Sequence, residues 1–421
     1  MQANVKLYFI FFLVFSNSIF AQNKSADSIP FNKPLEVENN RLKLPTVGYF
    51  LDWQTNSTVL TNTFLFDGRF DLFISQESVN QSAKKLNNNN YFVHQFNSGV
   101  FYEMPLKNKP NLGLLFELSA SSFQDASFNK NVFNMVMFGN AHYRNEKIEL
   151  GKMVYRNIEY QKIGIGVRNY FKARTQCINL TLDFILGDYA NQFKLNRGSV
   201  FTEQNGEYLD VDLNYERRTS SLGARVYNPK GVGTALNFSW SKLYAKKNAT
   251  ITVDVKNIGF VHYGPSTGVQ TVDTAIHFTG LDLGAFSAIS TFNTTGVKDS
   301  ILKNFNIKSK EEAFNFYLPS FLTLKYEQGL APKSILQIQA NAYLSNALPM
   351  LKCGYLYLLK SNFYIGSDIR VGGYSKFDID FLIRYPAKKI YIDGSINSVE
   401  GLISPKYNSG LGAFLHLGMN L

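Results

Sequence analysis

Side chains that switch between greasy and charged at every second position constrain this chain more than any other feature. From Phe377 to Tyr385 the odd positions Phe377, Ile379, Phe381, Ile383 and Tyr385 are apolar or aromatic, while Asp378, Asp380 and Arg384 fill three of the four even ones. A period of two belongs to a strand, whose successive side chains point to opposite faces. The pattern recurs in Leu209, Val211, Leu213 and Tyr215 against Asp210, Asp212 and Asn214, and in Phe363, Ile365, Ile369 and Val371 against Tyr364, Gly366, Asp368 and Arg370. It recurs again in Leu336, Ile338, Ala340, Ala342 and Leu344 against Gln337, Gln339, Asn341 and Tyr343, and in Ile390, Ile392 and Ile396 against Tyr391, Asp393, Ser395 and Asn397. In Ile163, Ile165 and Val167, and in Val232 to Trp240, the opposing face carries Gly164, Gly166 and Arg168 or Gly233, Ala235, Asn237 and Ser239. Small residues on that face suit a tightly curved or obstructed wall.

Turn chemistry separates these segments: Asn228 to Gly231, Ala331 to Lys333, Gly372-Gly373 and Tyr385 to Lys388. Short turns join antiparallel neighbours, and from about residue 311 to Leu421 the segments follow as a meander. A soluble sandwich would have to cover the bulky apolar faces with a second layer, and no second set of strands is written in the sequence. Lipid supplies that cover, and closing the sheet removes the unpaired edges that lipid excludes. The expected fold is therefore all-β, a closed antiparallel transmembrane β-barrel with short helical or hatch segments. Its last strand, Leu411, Ala413, Leu415, Leu417, Met419 and Leu421 against Gly412, Phe414, His416, Gly418 and Asn420, resembles the assembly signal of outer-membrane barrels.

The compartment is read from the start of the chain. Met1 to Ala21 combines Lys6, an apolar run from Leu7 to Phe15 and a small exit residue, the pattern of an export signal. Residues 22–48 are polar and form an extended lead; 49–421 is one barrel domain in the cell outer membrane. Among 421 residues, 15% aromatic against 18% charged excludes a disordered chain. Two cysteines exclude a thiolate cluster. Some segments do not read as strands: Ser78 to Leu86 as a short helix and Asp299 to Glu312 as a second. Gly259 to Asp282 reads as a hatch or a long loop. After Ile251, Val253 and Val255 the phase slips at Asn257, which predicts a bulge.

Chemistry is sparse. Gly264 to Gly268 matches G-x-S-x-G around Ser266, but no helix pattern follows and a plain turn is the better reading. His94, His142, His262, His277 and His416 are scattered, without spacing for a metal or a triad. Asp210, Asp212 and Glu216 could hold calcium, yet mixed signs on such faces favour mutual pairing. Asp368, Arg370, Asp378, Asp380, Arg384 and Asp393 are accordingly expected to line a hydrated, salt-bridged lumen. No catalytic residue, metal or cofactor is expected. The net charge of +11 comes from lysines at turns, such as Lys107, Lys246, Lys247 and Lys388, which suit anionic lipid headgroups rather than nucleic acid. Trp240, Tyr244, Tyr385 and Tyr391 are expected in interfacial girdles.

Several stretches, in order, resemble an outer-membrane family of Bacteroidota known as domain of unknown function 5723. They are Gly139-Asn140-Ala141, Ile148-Glu149-Leu150, Tyr160 to Arg168, Gly231 to Phe238, Asp254 to Phe260, Phe278 to Leu281, Asp299 to Leu302 and Tyr317-Leu318-Pro319. The terminal Leu421 and the stretch from Asp52 to Gln95 depart from it. The resemblance implies a barrel of about 14 strands, distantly similar to long-chain fatty-acid transporters, a group that includes secretion-accessory barrels. It transfers no catalytic residue. The expected function is a transport or porin-like channel for small or apolar solutes; the alternative is a plugged accessory barrel that binds protein partners. Expected partners are outer-membrane lipid, the outer-membrane assembly machinery through the last strand, and a small apolar ligand or a protein.

Overall fold

The computed structural model describes residues 45–68, 73–171, 175–220, 229–265, 267–279, 308–344, 348–360, 362–387 and 389–421. The strands are β1 (Thr46–Ser57), β2 (Asn90–Leu106), β3 (Lys109–Phe128), β4 (Lys147–Glu149), β5 (Met153–Phe171), β6 (Gln176–Thr202), β7 (Leu209–Thr219), β8 (Gly231–Tyr244), β9 (Ala249–Tyr263) and β10 (Gly268–Phe278). They continue with β11 (Lys308–Glu311), β12 (Phe314–Tyr317), β13 (Phe321–Ala331), β14 (Ser334–Tyr343), β15 (Leu348–Lys360), β16 (Phe363–Gly372), β17 (Phe377–Pro386), β18 (Ile390–Asn397) and β19 (Leu411–Asn420). Among the described residues four α-helices lie in the connections: α1 (Asn62–Phe66), α2 (Gln76–Ala83), α3 (Lys130–Phe138) and α4 (Val399–Ile403).

Fourteen strands close a ring in the order β1, β2, β3, β5, β6, β8, β9, β13 to β19, every pair antiparallel. The last strand zips onto the first, from Thr46 opposite Asn420 to Thr55 opposite Leu411. β1 opens at Thr46, inside the stretch read as a lead. One end of the ring has the tight connections, such as Ala331 to Ser334, together with the start of β1 and the end of β19. The opposite end carries the long connections and all four helices.

Polarity is inverted relative to a soluble protein. On β16 and β17, Ile369, Val371 and Ile379 are 40–52% exposed while Arg370, Asp378 and Asp380 are at most 1% exposed. Around the wall Ile163, Ile165, Val167, Leu180, Leu182 and Phe184 continue the outward apolar belt. This is the architecture of a barrel in lipid, where the outside is apolar and the inside polar. The expected bulge is present: register shifts between β8 and β9 at Asn257, whose φ is 58° and whose amide donates to Asn237 Oδ1 at 2.8 Å.

Three expectations are corrected. Residues 308–311 form β11, paired to Gly268 through Thr271, so the helix read from Asp299 to Glu312 does not hold there; a short polar stretch without an apolar helical face gains more from edge pairing. The rest of that helix, like the export signal, lies outside the described residues. Leu209 to Tyr215, a clean alternating segment, is not in the barrel wall. β6 runs 27 residues, far beyond the roughly 9–11 that span a membrane, and its overhang pairs with β4 and β7. β7 pairs in turn with β10, which accounts for Gly268 to Phe278 in the segment read as hatch or loop. Tyr391 is in the lumen, where its ring covers Gly418 and its hydroxyl meets His416 Nε2 at 3.2 Å. Gly418 leaves room for that ring, and Tyr391 stands in the polar phase of its strand, opposite Ile390 and Ile392, which outweighs the preference of a tyrosine near a strand end for the interface.

Candidate functional site

The six charged residues read from the sequence fall into separate clusters inside the ring. Near the long-connection end, Arg370 Nη2 lies 2.6 Å from Asp378 Oδ2 and 3.5 Å from Asp380 Oδ1, and donates to Ser398 Oγ at 2.8 Å. Lys352 adds a contact to Asp380 at 3.1 Å. Toward the tight-turn end, Arg384 lies 3.0 Å from Glu327 and 3.6 Å from Asp393. Asp368 sits between the clusters and accepts from Gln337 at 2.5 Å. On the facing wall, Lys162 bridges Glu117 and Asp183 at 3.1 and 3.4 Å, and Arg156 grips Asp125 with two nitrogens at 2.9 and 2.5 Å. Buried charges are tolerated because Arg370, Lys352, Arg384, Lys162 and Arg156 each meet a carboxylate, while Asp368 is held by the Gln337 amide.

Between these clusters runs an apolar arc. Phe123, Ile158, Tyr160, Ile185, Ala235, Val261, Tyr263, Phe314 and Phe316 form one buried cluster on the inner face of β3, β5, β6, β8, β9 and β12. Tyr263 stacks on Phe314 with centroids 5.2 Å apart and covers Gly187 and Gly231, where a Cβ would meet its ring or hydroxyl below 3 Å. The glycines on this face thus make room for an aromatic lining.

Tyr343 reaches across the lumen. It ends β14, seven strands around the ring from β2 in either direction, and its hydroxyl donates to Gln95 Oε1 on β2 at 3.0 Å. Gln54 of β1 donates to the same hydroxyl at 3.0 Å. Against its ring stands Tyr374 at 5.3 Å and 82°, whose hydroxyl donates to Asp125 of β3 at 2.8 Å. Tyr374 reaches inward because Gly372 and Gly373 take φ of 89° and 69°, a pair of left-handed residues open to glycine. Two tyrosines with satisfied hydroxyls therefore span opposite walls. Tyr343 stood in the polar phase of its strand, a signal visible in the sequence; the inward turn at Tyr374 had none.

Over this end the connections form a cap. Asn62 of α1 donates to the carbonyls of Gly401 and Gly410 at 2.9 and 2.8 Å, joining the β1–β2 and β18–β19 connections. Val59, Leu60, Phe64, Val79 and Phe133 make a small apolar core beneath α1, α2 and α3. Ser75 caps α2 through the Ser78 amide, and burial of Asp67 is outweighed by the hydroxyls of Ser78 and Ser75, at 2.8 and 2.9 Å, which hold its carboxyl below the usual range.

Other candidates are dispersed. Ser266 lies outside the described residues; Thr267 donates to the carbonyls of Gly264 and Glu312, as in a turn. Asp210 pairs with His277 at 2.6 Å, and Asp212 shares Arg197 with Asp273, on the overhanging sheet. Among the described residues no three His, Cys, Asp or Glu side chains are grouped to hold a metal.

A family described as of unknown function, DUF5723, matches residues 36–363. No curated protein matches the chain. Among solved structures, the chain is similar to the toluene transporter TodX of Pseudomonas putida, at 8% identity and a TM-score of 0.41, with 90% of each chain covered. It is similar also to the translocator domain of the autotransporter NalP from Neisseria meningitidis, at 7% identity and a TM-score of 0.33, with 99% of this chain and 96% of that one covered. A porin mutant of Rhodopseudomonas blastica aligns at 7% identity and a TM-score of 0.28, with 89% and 99% covered.

Proposed function

We propose that this chain, which belongs to the DUF5723 family of unknown function, is an outer-membrane channel for small or apolar solutes whose lumen is shut at rest by Tyr343 and Tyr374. The observation that carries the reading is the juxtaposition of an apolar inner arc with a side-chain bridge. A water-filled ion pore needs charges free to meet ions, whereas the inner charges here neutralise one another. The arc of Phe123, Tyr160, Val261, Tyr263, Phe314 and Phe316 offers apolar solutes a path along one wall. Short turns mark the periplasmic side and long connections the outside, so the tyrosine bridge stands near the outer mouth. The strand offered to the assembly machinery is β19, which closes the ring on β1.

The test is permeation through reconstituted protein. The Tyr343→Ala/Tyr374→Ala double variant is expected to load proteoliposomes with an apolar fluorescent naphthylamine faster than wild type, and to show sustained current in a planar bilayer where wild type is quiet. The helical cap favours a second reading, a plugged barrel that docks proteins through its outer connections. Silence of the double variant in both assays, with heat-modifiable gel mobility intact, decides for that second reading.

A further inference from the structure

The outer cap and the tyrosine bridge meet at one pair of carboxyl groups. Asp378 is fully buried, and its Oδ2 accepts from Arg370 and from the hydroxyl of Ser375, the neighbour of Tyr374. Its Oδ1 has no hydrogen-bond partner among the described residues. Glu400 of α4 comes from above: Oε2 accepts the Ile379 amide at 3.0 Å, on the strand edge that β18 has ceased to pair, and the buried Oε1 has no partner among the described residues. Glu400 therefore stands beside Asp378, since its Oε2 takes the amide of the next residue along β17. Two orphan acceptors on adjoining groups are satisfied together by a single shared proton; Arg370 Nε is the third buried atom of the cluster without a partner among the described residues.

We propose that a proton shared by Glu400 and Asp378 latches the outer connection to the Tyr374 turn, and that its loss releases the turn from the lumen. The proposal rests on the channel reading for its purpose, since the latch would regulate the same bridge. The path is continuous: Glu400 meets Asp378, Asp378 holds Ser375, and the adjoining Tyr374 spans to Asp125 and Tyr343. Around the pair, β17 contributes Asp378 and Asp380, β16 Arg370 and β15 Lys352, with the exposed Lys376 on the turn. The single titratable residue of β19, His416, sits with Tyr391, and Lys406 beyond α4 is held by Glu77 at 3.2 Å. Without the proton, three carboxylates face the two inward cations Arg370 and Lys352. Repulsion then falls on the contact between α4 and β17.

Burial raises the Glu400 carboxyl, in a connection outside the spanning strands, and Asp378 adds to the shift against the opposing Ile379 amide, taking it to about 7. A carboxyl raised in this way supports the folded contact at low pH and ceases to as pH rises through that value. Hydrogen exchange at the Gly373 amide, which donates to the Pro349 carbonyl at 2.9 Å beside Tyr374, reads the latch in the full-length protein without any solute, once corrected for intrinsic rates. Protection in wild type is expected to fall more than tenfold, each pKa unit of the shift being a factor of about ten, as pH rises from 4.5 to about 7, and to level off above it. Glu400→Gln, which keeps the amide contact and cannot ionise, is expected to stay protected throughout; Glu400→Ala is expected to be unprotected at every pH. A flat wild-type profile, or the same step in Glu400→Gln, overturns the latch. Neither result depends on permeation, so failure of the channel reading is seen separately.

Discussion

Replacing Arg370 by alanine is expected to cost about 3–5 kcal/mol, the penalty for removing one partner of a buried ion pair. The guanidinium is 1% exposed and lies against Asp378, Asp380 and the Ser398 hydroxyl. Its loss strands the fully buried Asp378, while Asp380 keeps Lys352, and the β16–β17 turn that carries Tyr374 depends on Asp378. Arg370→Met, which restores much of the volume, is expected to be nearly as destabilised, because the missing element is charge. Arg197 provides the contrast: it too touches two carboxylates, Asp212 and Asp273 at 3.1 Å each, but on the exposed overhang. Solvent screens that contact, so Arg197→Ala is expected to unfold with wild type. Urea midpoints of the refolded barrel measure all three, and equal midpoints for the Arg370 and Arg197 variants would refute the account.

The barrel was legible because lipid outside and ion pairs inside impose opposite chemistries on neighbouring residues, and Phe377 to Tyr385 carries that contrast residue by residue. The same period is written by a strand in water with one covered face. That is why Leu209 to Tyr215 was indistinguishable from a wall strand, although β7 belongs to the overhang. Glu327 was available by the same logic, two residues from Lys325 on an alternating strand, and it proves to be the partner of Arg384. The bridge was not available. Tyr343 and Gln95 are 248 positions apart, and only ring closure decides which strands face each other. Glu400 was hidden for a related reason, since its neighbour Asp378 is brought to it by a connection with no period of its own.

The outward face yields the second large effect. Ile165 is 58% exposed, flanked by Phe116 on β3 and Leu182 on β6, both also turned outward. Ile165→Arg is expected to lower the stability of the barrel folded into liposomes by about 2–4 kcal/mol, the range for a charged side chain at the bilayer midplane. Ile390→Arg, next to the tight-turn end of the wall, is expected to cost about 0–1 kcal/mol, because a long side chain there reaches the headgroups. The gradient is the informative quantity. A water-soluble sheet would gain solubility from arginine at either position and change little in stability, with no dependence on height along the strand. Reversible urea titrations in liposomes measure both variants, and equal costs at the two heights would mean that the apolar belt faces something other than a membrane.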